Sequence, residues 1–236
     1  MTNVRANMVL RAPLEIGMLV ADWQFGTEVE ERVEECWKDA ERRSSGRLYN
    51  GKLFTVKTVN PGIILGRFVD YKYYFAQRAL PDLDLGIQPV GVSGVTYDVS
   101  APSMVLLGQR SSDVTTYADA LELVPSGNLS DRFTGPDGAP DPVRELRAEL
   151  SEETSLGHES IIAAETLGLV YDNQEGIYDI VAALGVKVSG VSPSANREYR
   201  ELTFLDIKEA RQRLEAAPRC VPTSLAALGL FEEHDI

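Results

Sequence analysis

At 236 residues and 44% hydrophobic composition, the chain is long enough to bury a sizeable core in one large domain, or in one domain with a smaller extension. A formal net charge of -13 argues against a nucleic-acid backbone or an anionic membrane as principal partner, because neither field attracts such a surface, whereas small anions accompanied by a divalent cation remain compatible. Cys36 and Cys220 stand far apart in no paired spacing, which disfavours a disulfide framework or a zinc site and fits a reducing compartment.

The opening stretch "MTNVRANMVLRAPLEIGMLVADW" has an arginine inside its apolar portion and no run near membrane-spanning length, so a cytoplasmic protein without signal peptide or anchor is expected. From Thr27 to Arg43, Val29, Val33, Trp37 and Ala40 recur at helical intervals among charges, which predicts a helix packed on the core with Thr27 as a candidate N-cap. A flexible break follows at Ser44 to Gly46. The segments "KLFTVKTV", "GIILGRFVDYKYYFAQ" and "VGVSGVTYDV" are rich in β-branched and aromatic residues and read as strands, interrupted at Asn60-Pro61-Gly62 and near Pro81. A further strand, "SMVLLGQRS", precedes "ALELVPSGNLS", and "TGPDGAPDP" from Thr134 to Pro142 reads as a loop. Beyond it come strand-like "IYDIVAALGVKV" and "EYRELTFLDI", helical "IKEARQRLEAA" and a C-terminal segment "SLAALGLFEEHD".

The stretch "DPVRELRAELSEETSLG" carries the chemistry. Asp141 suits an N-cap and Pro142 the first helical position, where its missing N–H is no loss. Val143, Leu146 and Leu150 are expected to face the core, with Glu145, Glu149 and Glu152 or Glu153 pointing elsewhere. Carboxylates at i, i+3 and i+4 repel one another on a helix unless solvent or a cation screens them. A solvated helix face is the ordinary reading of such a run, while Glu149, Glu152 and Glu153 are also the oxygen donors that a hard divalent ion takes.

"ELSEETSL", Glu149 to Leu156, resembles the later part of the Nudix box, G-x5-E-x7-R-E-U-x-E-E-x-G-U with U aliphatic; Glu149, Leu150, Glu152, Glu153 and Leu156 match. Upstream, "LELVPSGNL" resembles the strand and P-G-G turn before the box, and "PVGVSGVTYDVSAPSMVLLGQRS" the domain's opening hairpin. A closer likeness, through "ECWKDAERRSSGRLYNGKLFTV", "VDYKYYFAQ" and "QPVGVSGV", is to a divergent branch of the family that hydrolyses UDP-glucose and UDP-galactose. On this register Ala148 stands at the arginine position, Ser155 at the glycine position and Pro140 at the early glutamate position, and "SDRFTGPDGA" looks like an insertion.

The resemblance implies an α/β fold, a Nudix-type α/β/α sandwich with a mixed sheet, in which an N-terminal helix-plus-strands extension (1–88) packs on the Nudix core (89–236). It implies Mg²⁺, with Mn²⁺ also acceptable, held by Glu149, Glu152 and Glu153 against the pyrophosphate of a small nucleoside diphosphate derivative, a UDP-sugar above all, and two monophosphates as products. Nucleic acid and membrane are not expected as partners, and the oligomeric state is left open. Glu152, Glu153 or Asp179 is the general base. The missing arginine leaves a second reading, an inactive nucleotide- or sugar-binding sensor. Among candidate substrate contacts, Tyr71, Tyr73 and Tyr74 offer stacking surfaces but more often pack in a core. Arg78 and Arg110 offer guanidinium groups for phosphate, though a solvated arginine is the commoner case. His158 is expected to complement the C-terminus of the acidic helix.

Overall fold

The computed structural model describes residues 7–19, 23–44, 48–114, 116–188, 193–194 and 196–234. Its elements are β1 (Asn7–Arg11), β2 (Glu15–Met18), α1 (Thr27–Ser44), β3 (Lys52–Asn60), β4 (Ile63–Asp70), α2 (Tyr71–Ala79), β5 (Val90–Asp98), β6 (Ala101–Arg110), β7 (Leu121–Leu123), β8 (Ser126–Asn128), α3 (Pro142–Glu153), a 3-10 turn (His158–Ser160), β9 (Ile161–Asp172), β10 (Ile177–Val186), β11 (Tyr199–Asp206), α4 (Ile207–Ala216) and α5 (Pro222–Glu232).

Among these residues the main sheet runs β1-β9-β10-β5-β6-β11, with β7 on β6 and β8 on β5. Its centre is the parallel pair β5 and β10, in which Val92 lies opposite Ile180 and Val95 opposite Ala183. Both strands are buried along most of their length because both faces are covered. Alternation along β10 divides the core: Ile180, Ala182, Leu184 and Val186 face Leu146 and Leu150 of α3, whereas Val181 and Ala183 face α5 through Leu228 and Phe231. α4 packs on the α5 side through Ala210 and Leu214. The architecture is a mixed α/β/α sandwich. A second sheet, β2-β4-β3, adds Phe54, Val56 and Ile64 to the core on the α3 side.

Two local expectations change. α1 begins at Thr27 and its first amides bond to the carbonyl of Gly26, so Gly26 takes the cap position instead of Thr27. The strand expected over Gly62 to Gln77 stops at Asp70, and Tyr71 to Ala79 is helical. Tyr71, Tyr74 and Phe75 sit at i, i+3 and i+4, a helical stripe, and the rings of Tyr71 and Phe75 meet Trp37 of α1 edge-on at centroid distances of 6.1 and 5.7 Å. Aromatic β-propensity yields here to packing against another helix. Strand β1 lies in the main sheet, antiparallel to β9. Of the break expected at Ser44 to Gly46, Ser45 and Gly46 lie outside the described residues.

Candidate active site

Helix α3 is set locally as its sequence predicts: Asp141 Oδ1 accepts from the Arg144 amide at 3.0 Å, and Pro142 opens the helix. Leu146 and Leu150 are fully enclosed. Two carboxylates expected to point away are drawn inward as well. Glu145 is buried and accepts from the Ser130 hydroxyl at 2.8 Å; Glu153 is buried and accepts from the Ser126 amide at 3.3 Å. Both find donors in the β7–β8 region and its outgoing loop, which is what makes their burial tolerable. Glu149 lies against β8, where a Cβ on Gly127 would come within 2.8 Å of its carboxyl group. The glycine therefore opens the space the carboxylate uses. Glu152 is exposed and pairs with Arg132.

The site is electrostatically loaded. Desolvation, followed by repulsion from Glu145, Glu152 and Glu198, pushes the Glu149 carboxyl up to about 7. Glu153 is raised well above the usual carboxylate range by desolvation and by the charges of Glu198, Glu122 and Glu149. Glu145 is also raised, chiefly by burial. Chemically, these are hard oxygen donors in mutual repulsion, a donor set that fits Mg²⁺ or Mn²⁺. Among the described residues, no three His, Cys, Asp or Glu side chains are already gathered as a metal-holding group.

Behind the glutamates lies a network that sequence reading did not assemble. Arg110 at the end of β6 reaches Glu122 of β7 at 2.5 Å and Glu198, just before β11, at 3.0 Å, and the Tyr199 hydroxyl donates to Glu122 at 2.9 Å. Arg110 is buried, and burial opposes its charge, but Glu122 outweighs that penalty and the guanidinium is held above its ordinary pKa. As a candidate phosphate contact Arg110 is thus corrected: its fork is occupied by two carboxylates. One signal was present, a charged residue in the middle of the apolar run Leu121 to Val124.

The other candidates are scattered. Tyr71 packs on Trp37, Tyr74 and Phe75, and the Tyr73 hydroxyl donates to Glu30 at 2.7 Å. Arg78 pairs with Glu175 at 2.6 Å, tying α2 to the turn between β9 and β10. His158 is exposed in the 3-10 turn, beyond the Thr154 C-cap of α3, instead of in the last turn of the helix. Ala148, where the resemblance leads one to expect an arginine, is 2% exposed and enclosed by neighbours.

Asp179 is the largest displacement from expectation. It is in phase with Val181 and Ala183, accepts from Ser93 Oγ at 3.3 Å and from Thr223 of α5, and so lies on the α5 face. The sheet separates it from the α3 glutamates, which removes it as their general base. A Cβ on its neighbour Gly91 would fall 2.1 Å from Asp179 Oδ1, so glycine is needed there. Desolvation pushes Asp179 up to about 7, against the opposing hydrogen bonds of Thr223 and Ser93, with Glu122 and Asp172 adding to the rise. A carboxyl raised on folding stabilises the protonated folded state, so stability falls as pH rises from the ordinary aspartate value near 4 through 7. Asp179→Asn keeps the hydrogen-bonding shape without the charge. It is expected to leave stability at pH 4 nearly unchanged and to raise it at pH 8 by about 2–4 kcal/mol, read from urea melts at both values.

No protein-family profile matches the chain, and no curated protein sequence matches it. Solved structures do. DR0079 from Deinococcus radiodurans superposes with a TM-score of 0.50 at 12% identity, covering 75% of this chain and 97% of that one. A Nudix hydrolase from Nitrosomonas europaea gives 0.45 at 15% identity over 62% of this chain and 89% of its own. A bifunctional NMN adenylyltransferase/ADP-ribose pyrophosphatase from Francisella tularensis, solved with AMP and a Mn ion, gives 0.46 at 16% identity over 69% of this chain and 45% of its own. The mixed α/β fold is shared with DR0079. At these identities the likeness concerns the fold. Among the described residues no helix is long and apolar enough to cross a membrane.

Proposed function

We propose that the chain hydrolyses the pyrophosphate bond of a nucleoside diphosphate linked to a second group, a UDP-sugar first among candidates, in a reaction dependent on Mg²⁺ or Mn²⁺. The observation that carries this reading is the placement of Glu149 and Glu153 at the margin of the α3-side core, desolvated and repelling each other, beside exposed Glu152. Such a cluster is costly unless a cation joins it. Glu149, Glu152 and Glu153 would hold the ion. Bound there, a divalent cation would neutralise the pyrophosphate and make a nearby water more acidic. Glu152 faces solvent and is the carboxylate best placed to take the water's proton, whereas Glu153 is enclosed and bonded to the Ser126 amide. The division at 88/89 belongs to the same proposal, with 1–88 as an extension whose small sheet covers the α3-side core; β1 crosses that division to join β9.

Turnover of a UDP-sugar is expected only with the divalent ion and is silenced by chelation. In ¹⁸O-labelled water the label should appear in UMP or in the sugar 1-phosphate. Free sugar carrying label, released with UDP, shows glycosidic cleavage and overturns the reading. Binding of every such ligand without turnover makes the protein a sensor, consistent with an alanine at the box arginine position.

A further inference from the structure

The loop between β8 and α3 brings a positive charge onto the glutamate face. Arg132 Nη2 reaches Glu152 Oε1 at 2.5 Å, and the two side chains are 47% and 54% exposed. Their surroundings hold the backbone of the loop, while the guanidinium stays about half exposed. The Arg132 amide donates to Ser130 Oγ at 3.2 Å, and that hydroxyl donates to Glu145 of α3. On the other side, the Asp141 amide bonds to the Phe133 carbonyl at 2.9 Å, and Thr134 bridges to Pro140, closing the loop at its base. Two guanidinium groups lie over the Phe133 ring, Arg132 at 5.0 Å and Arg144 at 4.9 Å from its centroid. Besides Glu152, Glu145 and Glu149 also feel the charge of Arg132. No arginine comes from position 148, where Ala148 is enclosed.

We propose that Arg132 holds Glu152 in the metal-free protein, is exchanged for a divalent cation at that carboxylate, and thereby turns its guanidinium to the pyrophosphate of the substrate. The inference rests on the hydrolase reading above. An exposed ion pair is a weak contact, easily replaced by a doubly charged ion at a carboxylate flanked by other carboxylates. The released fork matches phosphate oxygens two at a time. Anchored on both sides of Arg132, the loop confines it to the edge of the site throughout the exchange.

Full-length protein and the variants Arg132→Ala and Arg132→Lys are titrated with Mn²⁺ alone, free ion being followed by its electron paramagnetic resonance signal. Arg132→Ala is expected to bind Mn²⁺ about 3- to 5-fold more tightly, the size of losing one competing exposed ion pair. With saturating metal, the same variant should raise KM for a UDP-sugar about 10-fold while kcat changes less, and Arg132→Lys should recover part of the KM. Unchanged or weaker Mn²⁺ binding in Arg132→Ala, or no Mn²⁺ binding by the parent, overturns the exchange. The metal titration needs no turnover, so its outcome is separate from that of the hydrolase reading. Should the parent bind Mn²⁺ yet hydrolyse nothing, equilibrium binding of UDP in the presence of Mn²⁺ replaces KM, and equal UDP affinity in parent and Arg132→Ala overturns the phosphate contact.

Discussion

Glu153→Gln is expected to lower turnover of a UDP-sugar at saturating Mg²⁺ by about 100-fold or more, since loss of an outer partner of a metal site alone costs up to about that much. The metal-free variant should be at least as stable as the parent. Glutamine keeps the size of the side chain and its bond from the Ser126 amide, and it removes a carboxyl whose ionised form is opposed by burial and by Glu198, Glu122 and Glu149. Mg²⁺ should raise the melting temperature of the parent and do so less in the variant, because an ion that binds only the folded state stabilises it by mass action. Activity and stability thus move in opposite directions. A variant that loses both has lost its fold, and one that keeps full activity shows that Glu153 holds no essential ion.

The second large effect is structural. Arg110→Met leaves buried Glu122, and partly exposed Glu198 beside it, without their cation, and removing one partner of a buried pair costs about 3–5 kcal/mol, measurable as a shift in urea midpoint. Adding Glu122→Gln should recover a good part of that loss, because the main penalty is the uncompensated carboxylate and not the missing methylene contacts. The Tyr199 hydroxyl still finds an oxygen acceptor in the glutamine. The same pair of variants decides whether Arg110 meets substrate. If its work is to hold the two carboxylates, the refolded double variant keeps its KM. A KM that stays high after stability has returned would restore Arg110 as a phosphate contact.

In α3 the start and the apolar face were legible in the sequence, and the burial of Glu145 and Glu153 was not. Its cap, its opening proline and the apolar spacing of Leu146 and Leu150 are local signals, and a helix forms from contacts within four residues of each position. That Glu149, Glu152 and Glu153 neighbour one another follows from that helix, since spacing along one element decides which side chains meet. Strands β3, β5, β6, β10 and β11 were legible for a similar reason, as β-branched and apolar runs bounded by turn residues. α2 was not. Its tyrosines favour a strand when weighed singly, and Trp37, on a different helix, supplies the partner that makes a helical stripe of them.

Composition determined by itself an acidic chain with a sizeable core, and local pattern determined a capped acidic helix beside a strand-and-turn segment. Which side of the sheet each group occupies was decided only by the tertiary structure. A strand sends neighbouring residues to opposite faces, so Asp179 and Ile180 part company according to which helices cover those faces, and that depends on the packing of α3, α4 and α5. The pairings of Arg110 with Glu122 and Glu198, and of Arg132 with Glu152, join residues 12 to 88 positions apart. No periodicity along the chain encodes such separations. They arise when the register of β6 on β7 and β11 and the docking of the loop on α3 bring opposite charges together; around Arg110 and Glu122 water is excluded and an unpaired charge would be too costly to keep, whereas Arg132 and Glu152 meet in solvent.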